Sequence, residues 1–108
     1  MDIFIVWETW LKPEHAEKGY EITKSIWRDM LDFKGYLGHF LLRDKDNPAH
    51  LLLVSHWKTR QDADNAKKQY ISANLTELNP LLIQERGRTA YDLKEANMID
   101  GIKPSVRI

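Results

Sequence analysis

The sequence predicts one α+β domain in which a four-stranded antiparallel sheet carries helices on a single face. Three observations lead there. A chain of 108 residues is the usual size of one domain. Its hydrophobic period alternates between two and three-to-four in the order strand, helix, strand, strand, helix, strand. The first and third strands are apolar on both sides, which suits strands covered on both faces.

The elements follow in order. Residues 2–11, DIFIVWETWL, are β-branched and aromatic and read as the first strand. Phe4, Val6, Glu8 and Trp10 face one side, and Ile3, Ile5, Trp7 and Thr9 the other. Pro13 suits the first turn of a helix over 13–32, and Glu14 and Glu17 complement its positive end. Ala16, Tyr20, Thr23, Trp27 and Met30 make its apolar stripe, flanked by Ile22, Ile26 and Leu31, before Gly35 stops it. Residues 36–43 and 50–57 are two strands joined by DKDNPA, a turn rich in Asp, Asn and Pro. Thr59 caps a helix over 59–70, helped by Asp62, with only Ala63, Ala66 and Tyr70 as its stripe. Residues 71–82 are irregular or a short helix ended by Pro80, and 83–93 form a fourth strand. Residues 1–93 are thus the domain, and 94–108, containing Gly101 and Pro104, an extended tail.

Composition narrows the functions. Sixteen basic residues balance sixteen acidic ones, so there is no electrostatic footprint for nucleic acid. The absence of cysteine excludes disulfides and thiolate chemistry. No apolar run approaches the ~20 residues of a membrane span, and MDIFIVWETW lacks the basic start and apolar length of a signal peptide. The expected setting is the cytoplasm.

A sheet with helices on one side leaves its other face bare. An edge of Leu37, Leu41, Leu52 and Val54 on that face would be an association surface, and a second copy packed sheet on sheet is the economical cover. A homodimer is therefore expected. Met98, Ile99 and Ile102 of the tail could cross to cover the partner's sheet.

The third strand opens with three leucines and closes on Ser55-His56-Trp57. If the turn pairs Arg43 with His50, then Trp57 lies opposite Tyr36, Ser55 opposite Gly38 and Phe40 opposite Leu53, all on one face. Aromatic rings around the gap at Gly38, with a hydroxyl and an indole N–H, describe a small apolar pocket with orienting donors. Each residue also has a plainer reading. Trp57 and Tyr36 equally suit a core, Ser55 a local hydrogen-bond partner, and Gly38 a bulge. Trp7 shares the parity of the pocket side. His39 and His56 fall on the opposite face, where packing is favoured over metal because a third ligand is missing; His39 is a candidate base only if the faces are inverted. Arg86 and Arg88 are candidates for steadying an anionic substrate, and equally ordinary edge-strand arginines.

The segment FKGYLGHFLLRDKDNPAHLLLVSHWKTRQDADNA resembles the strand–hairpin–helix core of the antibiotic biosynthesis monooxygenase domain family. The features that carry it are Gly35-Tyr36, Gly38, the two-strand hairpin, and Trp57 closing the third strand before a polar helix. The resemblance spans roughly residues 2–93 and rests on spacing more than on reactive groups. It implies a ferredoxin-like monomer paired into a dimeric α+β barrel. Similar proteins include cofactor-free oxygenases of phenolic or quinol substrates, heme-degrading oxygenases, and enzymes of small signalling molecules. The heme-degrading branch uses a first-strand Asn, a third-strand Trp and a second-helix His. Trp57 matches the Trp, but the Asn position falls near Trp7 and the His position near Lys67, a hydrated cation that does not suit iron. The expected function is a monooxygenase without cofactor or metal, acting on a small aromatic held by Trp57, Tyr36, Ser55, Trp7 and Phe40. A non-catalytic small-molecule-binding dimer is the alternative, and a heme protein the third choice.

Overall fold

The computed structural model describes residues 2–97. Strand β1, Ile3–Trp10, leads through a 3-10 turn at Pro13–His15 into helix α1, Ala16–Arg28, which closes in a second 3-10 turn at Asp29–Asp32. The hairpin is β2, Tyr36–Arg43, and β3, His50–Trp57. Helix α2, Arg60–Gln69, and short helix α3, Ala73–Leu78, precede a 3-10 turn at Asn79–Leu81 and strand β4, Gly87–Asp92. The sheet runs β2-β3-β1-β4 and every neighbouring pair is antiparallel. This is the ferredoxin-like α+β arrangement expected from the sequence, with β1 and β3 inside the sheet.

The local signals act as predicted. Pro13 sits in the first turn before α1, where its missing N–H costs nothing. The Thr59 hydroxyl accepts from the Asp62 N–H at 3.0 Å and starts α2. Ser72 does the same for Asn74 at 3.1 Å, so residues 73–78 are a true helix. The core lies on the helix side of the sheet, where Ile3, Ile5, Leu51, Leu53 and Trp57 meet Ile22, Ile26, Trp27 and Met30. Helix α2 brings only Ala63 and Ala66 to that layer. Such small side chains leave the space between sheet and helices incompletely filled.

Three expectations are corrected. Leu31 is 76% exposed, because the 3-10 turn ending α1 rotates it off the apolar stripe. Strand β4 begins at Gly87, and Leu82 makes only an isolated bridge to Leu11. The hairpin register differs by one residue, with Arg43 opposite Leu51. A one-residue shift moves each side chain to the other face. Ser55 therefore faces His39, Leu53 faces Leu41, and Phe40 pairs with Val54 on the bare side. The offset is taken up by a bulge between Tyr36 and Gly38, which restores the expected Tyr36–Trp57 pair. Gly38 has φ 143°, a conformation that side chains resist, so glycine is what permits the bulge. Leu41 thus belongs to the core side, and Phe40 and Leu42 join Leu52 and Val54 on the bare face.

Residues 94–97 follow β4 without regular structure. The expectation about Met98, Ile99 and Ile102 lies outside the described residues. No helix among the described residues is long and apolar enough to cross a membrane.

Candidate functional site

Between the sheet and the helices lies a cavity of about 240 Å³. Ile5 and Trp7 of β1 and Trp57 of β3 supply its sheet side, and Trp27 and Met30 its α1 side. Ala63 and Ala66 of α2 lie over it, with Lys67, Tyr70 and Leu75 beside them, Arg86 from the approach to β4 and Arg88 from β4 itself. Its volume is a little below the ~300 Å³ at which small-molecule sites begin. A ligand held there is one or two rings across.

Trp57, 2% exposed, turns its indole to this space while its N–H is committed elsewhere. Trp57 Nε1 donates to Ser55 Oγ at 3.0 Å, and Ser55 Oγ donates to the Ile5 carbonyl at 2.9 Å. The serine is fully buried and does not line the cavity. The two groups expected to orient a ligand thus bond to each other and fix the plane of the indole. Tyr36 stands behind Trp57, its ring edge-on at 5.4 Å between centroids, and does not line the cavity either. Phe40 is on the opposite face of the sheet, moved there by the register. Of the five residues expected at the site, Trp57 and Trp7 meet in the cavity wall, Ser55 and Tyr36 support it, and Phe40 is apart from it.

The wall is cationic as well as aromatic. The Arg86 guanidinium lies 4.5 Å from the centroid of the Trp7 ring, and Arg88 lies 5.5 Å from the same ring. Arg88 is held by Asp64 of α2 at 2.8 Å, yet its Nε is buried without a hydrogen-bond partner among the described residues. Arg86 has no carboxylate within ion-pair distance among the described residues, and burial pushes its guanidinium below the ordinary arginine value. A desolvated cation lacking an anion favours whatever negative charge comes beside it. Lys67, exposed at the more open side next to Trp7 and Arg86, adds a further positive charge. Tyr70 is directed to a structural task, donating to Asp29 at 2.6 Å; burial and that carboxylate raise its pKa. Among the described residues no histidine or carboxylate lines the cavity. Among the described residues no group of three or more His, Asp or Glu is placed to hold a metal ion.

Sequence reasoning weighed Arg86 and Arg88 but left them outside the site. A signal was present: β1 pairs with β4 so that Trp7 opposes Arg88, and Arg86 shares that parity. The contributions of Met30, Tyr70 and Leu75 depend on how the helices are laid over the sheet, which no local pattern encodes. His39 lies on the helix side, not the bare side as expected. His56 is on the bare face as expected, stacked on Phe4 at 4.6 Å with Nε2 2.9 Å from Asp2 Oδ2 but without hydrogen-bond geometry.

Known structures share this fold. A protein from Methanosarcina mazei Go1, described as a conserved protein, superposes with TM-score 0.75 at 21% identity, over 87% of this chain and 94% of that one. Rv0793 from Mycobacterium tuberculosis gives 0.74 at 14% identity, over 90% and 100%. A variant of SnoaB from Streptomyces nogalater, described as a cofactor-independent oxygenase, gives 0.67 at 16% identity, over 88% and 95%. At such identities the likeness is one of fold. No curated protein matches the sequence. The family model described as antibiotic biosynthesis monooxygenase matches residues 2–69, from β1 to the end of α2 and more than half of the protein, so the chain belongs to the antibiotic biosynthesis monooxygenase family.

Proposed function

We propose that the protein is a monooxygenase that needs no prosthetic group and oxidises a small phenolic or quinol-like aromatic in the cavity beneath α2. The observation that carries this is the combination, in one small cavity, of two tryptophan walls and a desolvated guanidinium with no carboxylate partner among the described residues. Support also comes from the family and from the neighbour described as a cofactor-independent oxygenase.

The chemistry follows from those groups. A flat ring packs against Trp57 and Trp7, gaining dispersion and area burial. Its hydroxyl, set toward Arg86 and the unmet Arg88 N–H, loses its proton more readily because the cation stabilises the oxyanion in a poorly solvated space. The ionised ring is electron-rich and passes one electron to dioxygen. The resulting radical and superoxide combine to form a C–O bond, the peroxide anion takes up a proton equal to the one the hydroxyl released, and the hydroperoxide loses water, with the hydrogen of the carbon that bears it, to leave a carbonyl. The protein contributes desolvation, orientation and charge stabilisation. Ser55 and Tyr36 act as positioning residues for Trp57. The working unit is a cytoplasmic homodimer formed through the bare sheet face, whose Leu42 is 50% exposed and which carries Phe40, Leu52 and Val54 beside it.

A second reading, a binding module without turnover, is favoured by one observation: among the described residues neither imidazole nor carboxylate lines the cavity to serve as a base. Oxygen uptake decides between them. Purified protein is offered dihydroxyaromatics and anthrone-like ketones in an oxygen electrode, with a chelator present. Uptake with formation of a quinone product is expected. Saturable binding of the same compounds without uptake would replace the oxygenase with the binding module. A heme titration is expected to leave the Soret band unshifted.

A further inference from the structure

The bulge in β2 has a chemical consequence. It brings Tyr36 and His39, three residues apart on one strand, to the same helix-facing side. The Tyr36 hydroxyl is hydrogen-bonded to His39 Nδ1. Burial raises the phenol's pKa and lowers the imidazole's, so near neutrality the pair is an intact O–H facing a neutral ring nitrogen. The tautomer consistent with this carries its proton on Nε2.

The pair stands directly behind the cavity wall. Tyr36 lies edge-on to Trp57 at 5.4 Å and 6.5 Å from Trp27, and His39 lies 5.8 Å from Trp27. Both tryptophans line the cavity, while Tyr36 and His39 do not. An oxidant in the cavity therefore meets indole first and phenol second.

These rings differ in what they can do after losing an electron. An oxidised phenol is a strong acid, and it forms easily only where a base takes the proton as the electron leaves. Tyr36 has that base in His39. The Trp57 N–H instead donates to the Ser55 hydroxyl, a poor base, so the indole can relay an electron but cannot discharge its proton. We infer that Tyr36 and His39 form a proton-coupled electron donor that quenches one-electron oxidants arising in the cavity, with Trp57 and Trp27 as the relay. In the step, an oxygen-centred or aryloxyl radical gains one electron and becomes the anion. Tyr36 loses that electron and becomes the neutral tyrosyl radical, and its hydroxyl proton moves to His39 Nδ1 to give imidazolium. A soluble thiolate later returns an electron to Tyr36, and the proton comes back from His39. The activity would protect the wall from its own oxygen chemistry, but it does not rest on that chemistry, since any one-electron oxidant can drive it.

The test uses the full chain, light, ruthenium tris-bipyridyl and persulfate, followed by freeze-trapping and electron paramagnetic resonance. The wild-type protein is expected to give a tyrosyl radical. Tyr36→Phe, which keeps the ring, is expected to lose it and show an indole radical in its place. His39→Gln, with the phenol intact, is expected to form the tyrosyl signal more slowly and in lower yield. A tyrosyl signal of wild-type strength in Tyr36→Phe would place the hole on Tyr20, Tyr70 or Tyr91 and overturn the inference. An undiminished signal in His39→Gln would overturn it too, by showing that water takes the proton. The His39→Gln arm decides the matter alone should Tyr36→Phe fail to fold, as judged by its melting curve.

Discussion

Arg86 and Ser55 show how two polar side chains beside one tryptophan-lined cavity take opposite roles. Arg86 is desolvated with no carboxylate partner among the described residues, so its removal should cost the folded protein little and the bound ligand much. Arg86→Gln is expected to weaken binding of an ionised aromatic by about 1.5–3 kcal/mol, roughly ten- to a hundredfold, in a tryptophan-fluorescence titration. Its melting temperature is expected to be unchanged or slightly higher. Ser55 is the reverse case. Ser55→Ala strands the buried Trp57 N–H, and a cost of about 1–3 kcal/mol is expected in urea unfolding. If stability were unchanged, the indole would not depend on the serine for its orientation. Which face meets the helices was left open, but that Trp7 and Trp57 share a face was legible from strand parity. The role of Arg86 was not, because being unpaired is a property of what the folded chain fails to bring near it, and that is written in no local pattern.

At the scale of elements, the four strands, α1 and α2 were legible, α3 was left open between an irregular segment and a short helix, and the hairpin register was not legible. Composition of the turn marks where β2 and β3 are joined, but not which residues pair across it. Arg43 meets Leu51 here, and that step sends Phe40 to the bare face and His39 inward. The glycine that absorbs the offset was visible and was weighed as a bulge, yet nothing before it in the sequence says on which side of Gly38 the ladder breaks. The bulge should be costly to disturb. Gly38→Ala is expected to destabilise the fold by about 1–3 kcal/mol through backbone strain at a positive φ, read as a lower urea midpoint. A neutral effect would mean that the hairpin can move to the uninterrupted register. Beyond the hairpin, the start of β4 was placed too early because residues 83–86 alternate like a strand but make no ladder with β1.

Among the described residues the sheet has one face under helices and one face bare. Phe40, Leu42, Leu52 and Val54 lie on the bare face beside Val6 and Phe4 of β1, an apolar area that a second copy would cover. Leu42→Glu places a charge at a half-exposed position, so it should leave the monomer's unfolding nearly unchanged while shifting sedimentation from dimer to monomer. A wild-type protein that sediments as a monomer at micromolar concentration would contradict the sheet-on-sheet pairing. The cavity, by contrast, is built within one chain, from β1, β3, α1, α2, α3, β4 and the approach to β4. Its existence was foreshadowed by the sparse stripe of α2, where Ala63 and Ala66 stand in the layer that larger side chains would have closed. The measurement that tests the central claim most directly is a crystal structure of the protein soaked, without oxygen, in a dihydroxynaphthalene. Electron density is expected for a flat ring against Trp57 and Trp7 with one oxygen at hydrogen-bond distance from Arg86. A cavity closed by Trp27, Trp57 and Met30 packing on one another, or a ring seated elsewhere on the protein, would contradict it.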